Sequence, residues 1–128
     1  MLACRSTIAG SLFALAYSGM AQDAEVKVGR LRVPDSVQAG MPYQVAFENV
    51  QKSSDDIVII QACFTWQRSG FTDGPFCFTP LEDASQKTVS ANLFTRNPGT
   101  YTLYGYVTYP DKAEVRKSNM VRTNLWVR

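Results

Sequence analysis

The residues in this chain whose type and spacing first invite a chemical reading are Cys63 and Cys77, with Cys4 near the start and no histidine anywhere in 128 residues. A thiol pair can be a redox centre, part of a metal site or a disulfide. Active dithiols are usually Cys-x-x-Cys at a helix start, where the dipole lowers the thiol pKa. Here the spacing is far longer and the surroundings read as strand, which leaves the disulfide. The absence of histidine removes Ser/His/Asp and Cys/His nucleophile arrangements, His-ligated zinc or haem, and imidazole pH switches. The acidic pairs Asp55-Asp56 and Glu82-Asp83 fall in expected loops and lack the alternating oxygens and glycine turn of a calcium loop. Distant carboxylates could still pair for glycoside hydrolysis, but nothing in the sequence locates a cleft for them. Neither a metal nor a cofactor is expected.

The cysteine spacing carries geometry. Residue 70 lies midway between 63 and 77, and it is a glycine. A hairpin centred there sets Cys63 against Cys77, Phe64 against Phe76 and Thr65 against Pro75. It leaves Trp66 to Gly74 as a loop with turn chemistry at Ser69-Gly70 and Asp73-Gly74. Facing residues on paired strands are within disulfide reach, and such a cross-link stabilises by about 3 kcal/mol in the chain-entropy account.

Two sets of side chains could form a recognition surface. Tyr104 and Tyr106 share one face of an expected strand, and Trp126 alternates with Asn124 and Arg122 on its neighbour. Tyr, Trp and Arg on one exposed face are the composition of an interface. The second set is the disulfide-pinned loop with Trp66, Arg68 and Phe71, which would lose little entropy on binding. The clustered bases Arg116, Lys117, Arg122 and Arg128, and Lys27, Arg30 and Arg32, read as protection of edge strands.

These residues need strands to position them. Short β-type runs separated by turn residues fill the chain beyond Ala21, with no sustained 3.6-residue period. Seven strands are expected: Glu25 to Val33, Tyr43 to Glu48, Ile57 to Trp66, Pro75 to Thr79, Lys87 to Phe94, Thr100 to Tyr109, and Val115 to Val127 with an interruption at Ser118-Asn119. In the first, the apolar parity changes beside Gly29, as at a bulge or a switch between sheets. The third begins apolar on both faces, so it is expected to be covered on both sides or capped by a loop. This spacing predicts an all-β, seven-stranded antiparallel two-sheet sandwich, with a closed barrel as the alternative.

Residues 1–21 read as a secretory signal peptide, with Arg5, an apolar run from Ile8 to Ala16, and small residues at Gly19 and Ala21 before cleavage. Leu2-Ala3-Cys4 looks like a lipobox but stands ahead of the apolar run. Cleavage would leave a single domain over 22–128, secreted or periplasmic, with no stable membrane insertion. The chain carries 13 basic and 11 acidic residues, a formal charge of +2, and loss of Arg5 lowers that by one. So small a charge gives no general attraction for nucleic acid. Cys63 and Cys77 would then be the remaining pair in an oxidising compartment.

The segment Asn97-Pro98-Gly99-Thr100-Tyr101-Thr102-Leu103, within this strand order, resembles bacterial immunoglobulin-like and fibronectin type III-like sandwich domains, where a Pro-Gly-x-Tyr run opens the penultimate strand. The resemblance implies structural roles for Pro98 and Gly99 and a corner role for Tyr101, its hydroxyl tied to nearby backbone. Antibody-type domains carry a cysteine two residues after that tyrosine, and Leu103 stands there instead. The expected function is a small exported, non-enzymatic domain that binds a protein or glycan partner outside the cytoplasm. The alternatives are a structural accessory of a surface assembly working by strand pairing and, behind it, a hydrolase with a carboxylate-only site.

Overall fold

The longest alternating run of the sequence becomes the longest strand and the organising element of the fold. A computed structural model describes residues 24–128. The expected signal peptide, with Cys4, lies outside the described residues. In chain order the strands are β1 (Val26–Lys27), β2 (Arg30–Arg32), β3 (Tyr43–Glu48), β4 (Gln51–Lys52), β5 (Gln61–Arg68), β6 (Phe71–Phe78), β7 (Leu81–Asp83), β8 (Thr88–Leu93), β9 (Gly99–Asp111), β10 (Glu114–Lys117) and β11 (Val121–Val127). The described chain is all-β, and every strand-to-strand ladder is antiparallel.

The larger sheet runs β6–β5–β9, with β10 and β11 sharing the far side of β9. The other runs β2–β3–β8–β7, and the short β1–β4 pair stands beyond it along the chain. They pack face to face in a sandwich-like arrangement around one core. Phe47 of β3 stacks on Phe64 of β5 with centroids 5.4 Å apart, and Val45, Val89, Leu93, Leu103, Val107 and Leu125 fill the same layer. Gly105 on β9 is required here, because a Cβ would lie 2.8 Å from Phe47 Cζ. Lacking a side chain, it lets the Phe47 ring lie against the β9 backbone.

Eleven strand segments replace the expected seven among the described residues. The first expected strand is interrupted at Val28 and Gly29, which face a matching irregularity where Asn49 adopts a positive φ of 55°. The change of sheet comes later: Val37 forms a parallel bridge with Val127, held by Val37 N–H to the Trp126 carbonyl at 2.9 Å and Arg128 N–H to the Val37 carbonyl at 2.8 Å. Leu81–Asp83 is a strand where a loop was expected, while the last strand divides around Ser118 to Met120, at the expected interruption. Residues 57–60 are not strand at all. Ile57 and Ile59 are buried while Val58 and Ile60 are exposed, so this apolar run is covered on one side only.

Candidate functional site

The hairpin register places Cys63 opposite Cys77 and Phe64 opposite Phe76. The two sulfurs form a disulfide, with Cα atoms 4.0 Å apart. A structural disulfide points to an oxidising, non-cytoplasmic compartment, and no described helix is long and apolar enough to cross a membrane.

The expected Trp66 to Gly74 loop is corrected. β5 continues to Arg68, β6 starts at Phe71, and the turn is the two residues Ser69-Gly70, with Gly70 at φ 70°. The second turn signal is instead a bulge: the ladder shifts between Phe64 and Trp66, and Trp66 faces Asp73. Gly74 there has φ 123°, and a Cβ on it would meet the Phe64 carbonyl at 2.7 Å. Glycine therefore served the ladder's irregularity and not a loop tip.

Trp66 consequently changes role. It lies inside a strand and is 6% exposed, its indole N–H donating to the Tyr43 hydroxyl at 3.2 Å. That hydroxyl shares a 2.6 Å hydrogen bond with Thr95 Oγ1. Burial raises the Tyr43 pKa above its ordinary value, partly opposed by the hydrogen bonds to Thr95 and Trp66. Trp66 and Thr95, the two ends of this hydrogen-bonded chain, line a cleft of about 540 Å³ along the open side between the sheets, walled by Phe71, Phe76 and Phe78 on one sheet and Leu93 and Phe94 on the other.

Strand alternation explains the wall. Phe64 and Trp66 face inward on β5, so their register partners Phe76 and Asp73, together with Phe78, project to the same side from β6. β6 is the last strand of its sheet, and the facing sheet ends in the three-residue β7. Among the described residues the facing sheet covers the inner face of β6 only in part: Phe78 packs against the core. Phe71, Phe76 and Phe94 accordingly remain 46%, 47% and 50% exposed. Trp66 and Phe76 rings still meet, tilted, at 6.1 Å.

Arg68 and Tyr101 close one end. The Arg68 guanidinium lies between two rings, 5.1 Å from Tyr101 and 5.7 Å from Phe71, and donates to the Pro98 carbonyl at 3.1 Å. The Tyr101 hydroxyl donates to the Asn97 carbonyl at 2.7 Å, bracing the Asn97-Pro98-Gly99 turn. Gly99 has φ 148°, and a Cβ there would press on Arg68 Nη1 at 2.8 Å. Trp66, Arg68, Phe71 and Tyr101 thus converge. Asp73, Arg96 and Asn97 supply a polar rim.

The expected tyrosine and tryptophan face is not one patch. Trp126 is 55% exposed, and Tyr104 is half-buried in register with Arg122. Trp126 is in register with Thr100, four residues from Tyr104, a separation of roughly 13 Å at the usual strand rise. Tyr106 is 8% exposed. It stands in register with Cys63, and the Lys117 ammonium lies 5.1 Å from its ring centroid. Neighbours on both sides cover it, so it is not the outward residue that simple alternation implies.

Reasoning from sequence missed Phe76, Phe78 and Phe94. The parity of the hairpin register contained the signal for the first two, since Phe64 against Phe76 puts both on one face. The acidic pairs do other work. Glu82 pairs with the Lys52 ammonium, and Asp83 accepts from the Ser85 N–H at 3.1 Å and the Gln86 N–H at 3.2 Å. Among the described residues no three or more His, Cys, Asp or Glu side chains gather as metal ligands would.

No protein-family model matches the chain, and no curated protein matches it. Among solved structures it is similar to the superoxide reductase (neelaredoxin) of Ignicoccus hospitalis, at 16% identity over 90% of this chain and 89% of the other, TM-score 0.46. A variant of that protein matches at 16% identity over 89% and 87%, TM-score 0.42. The PKD domain of an M14-like peptidase from a Thermoplasmatales archaeon matches at 14% identity over 83% and 96%, TM-score 0.41. The expectation of a non-enzymatic domain is withdrawn on this finding, because the neelaredoxins among these neighbours are enzymes. Likenesses this distant assign neither a reaction nor a partner to the present chain.

Proposed function

We propose that the chain is an exported immunoglobulin-like recognition domain that binds a protein or glycan partner through the aromatic cleft between β6 and β8. The carrying observation is that Phe71, Phe76 and Phe94, each about half exposed, open into one cavity floored by Trp66. Apolar area left in water costs about 25 cal/mol per Å² relative to burial, and aromatic residues with arginine at a cleft mouth are what interfaces concentrate. Exposed phenylalanines gathered at one open edge are accounted for by something that covers them.

Topology supports the immunoglobulin-like reading. The N-terminal segment contributes to both sheets, pairing with β3 through Arg30–Arg32 and with β11 through Val37. The Tyr101 tie to Asn97 matches the corner role that the Pro98-Gly99-x-Tyr101 resemblance implies. The disulfide and the leader-like residues 1–21 support export to the periplasm or beyond, with 22–128 as the mature domain.

The test is a crosslinked capture from the extracytoplasmic fraction with the wild-type chain and a Phe76→Ser/Phe94→Ser variant. Both side chains are about half exposed, so the variant keeps its fold, which circular dichroism checks. The expected result is loss of the captured partner. Undiminished capture by a folded variant overturns the cleft as the binding site, and loss with Trp126→Ala instead would transfer the role to the opposite face.

A further inference from the structure

β8 is paired along nearly its whole length on one side only. It pairs with β3 from Val89 to Leu93, whereas β7 accompanies it only from Thr88 to Ser90. The chain reaches β7 directly from β6 of the other sheet, and among the described residues no strand pairs with Ala91, Asn92 and Leu93 on that side. That side borders the cleft, which Asn92, Leu93 and Phe94 line.

The direction of the backbone groups follows from strand alternation. Successive residues turn their N–H and C=O to opposite neighbours. The Thr95 carbonyl accepts from Gly40 N–H on the β3 side at 2.9 Å, so Leu93 and Ala91 face β3 as well. Asn92 and Phe94 therefore face the other side.

We propose that the partner is a protein that inserts an extended segment as an added strand beside Asn92, sending alternate apolar side chains into the aromatic cleft. This rests on the cleft being the recognition site and specifies how it recognises. An added strand gains affinity from main-chain hydrogen bonds and specificity from pockets for every second side chain. Both are present here: backbone groups at Asn92 and Phe94, and Phe76, Phe78 and Trp66 across a gap of about 10 Å, the usual sheet separation, which holds one layer of side chains. A glycan would use the rings but leave the backbone row unanswered.

The experiment presents the full chain with an array of heptapeptides carrying Val, Leu, Ile or Phe at alternate positions. Controls of equal composition have the apolar residues contiguous, and cellohexaose and chitohexaose serve as glycan probes. Binding of alternating peptides alone is expected, with amide exchange at Asn92 and Phe94 slowed on binding. N-methylation of alternate peptide amides in one phase should weaken binding about tenfold or more, a lost hydrogen-bond row, while the opposite phase should leave it nearly unchanged. Equal sensitivity to both phases, with binding still lost in Phe76→Ser, overturns strand addition but leaves the cleft as the site. An oligosaccharide that binds the cleft does the same. Self-association that protects Asn92 makes a second copy the occupant and overturns the foreign segment. No binding of any heptapeptide or oligosaccharide, or binding indifferent to Phe76→Ser, overturns strand addition and the cleft together.

Discussion

The Trp66 indole N–H donates to the Tyr43 hydroxyl at 3.2 Å, joining the floor of the cleft on β5 to the facing sheet on β3. With Thr95 Oγ1 bonded to that hydroxyl at 2.6 Å, one short polar chain links side chains of the two sheets. Tyr43→Phe removes its middle member and leaves two buried polar groups without partners. Each such loss costs about 1–3 kcal/mol, so a lower urea midpoint at unchanged slope is expected, with the disulfide intact. A midpoint equal to wild type would mean that water replaces the hydroxyl.

The same hydroxyl predicts an alkaline limb. Burial raises the Tyr43 pKa above its ordinary value of 10.0, so near and above pH 10 the unfolded chain gives up this proton more readily than the folded one. Stability from this source is complete below 10.0 and is lost as pH rises towards and through the raised folded value. Unfolding midpoints measured between pH 9 and 11.5 should fall for wild type and fall less steeply for Tyr43→Phe.

Gly105 tests the contact between the sheets. Gly105→Ala puts a methyl 2.8 Å from Phe47 Cζ and 2.9 Å from Cε1, and Phe47 is wholly buried against Phe64. Overpacking of this kind costs about 1–3 kcal/mol. Pairing it with Phe47→Leu should recover part of the loss, which thermal unfolding of the single and double variants will measure.

The fold and the site differ in how far they could be read from sequence. Cys63, Cys77 and the glycine midway between them specified a register, because strand pairing is a symmetric constraint and needs no knowledge of the rest of the fold. Gly74 misled, since a positive-φ glycine serves a bulge as well as a turn, and Trp66 was therefore drawn into a loop. Tyr106 misled for a different reason: alternation assigns a face, but whether that face is open depends on Cys63 and Lys117, which arrive from other strands. The cleft was least legible of all. It exists because β7 has only three residues, and the exposure of Phe76 depends on a strand that is short on the opposite sheet.

Glu48 contributes to the acid limb. Arg32 Nε and Arg30 Nε lie 2.5 Å from its two carboxylate oxygens, and those hydrogen bonds hold its pKa below the ordinary 4.5. A depressed carboxyl contributes stability that is present above the unfolded value and is lost as pH falls through the folded one. Glu48→Gln should flatten the midpoint between pH 5 and 3. Because the site is open to solvent, 0.5 M salt should reduce the wild-type slope too, and an unchanged slope in the variant would assign the acid limb to other carboxyls.

Asn119 offers the sharpest test of a single side chain acting as a strand. Its Oδ1 accepts from Val28 N–H at 2.8 Å and its Nδ2 donates to the Val28 carbonyl at 2.9 Å, satisfying both backbone groups at the point where β1 and β2 are interrupted. Asn119→Ala frees both groups and should cost about 1–3 kcal/mol, as an unsatisfied part-buried donor and acceptor do. Asn119→Asp separates the two bonds. It keeps the acceptor for Val28 N–H but sets a carboxylate against the Val28 carbonyl, so at pH 7 it should be no more stable than the alanine variant. Protonation restores a donor, and the aspartate variant should therefore gain on the alanine variant as pH falls from 6 to 3. Parallel curves for the two variants across that range would show that Asn119 Nδ2 contributes nothing and that the Val28 N–H alone anchors the first strand.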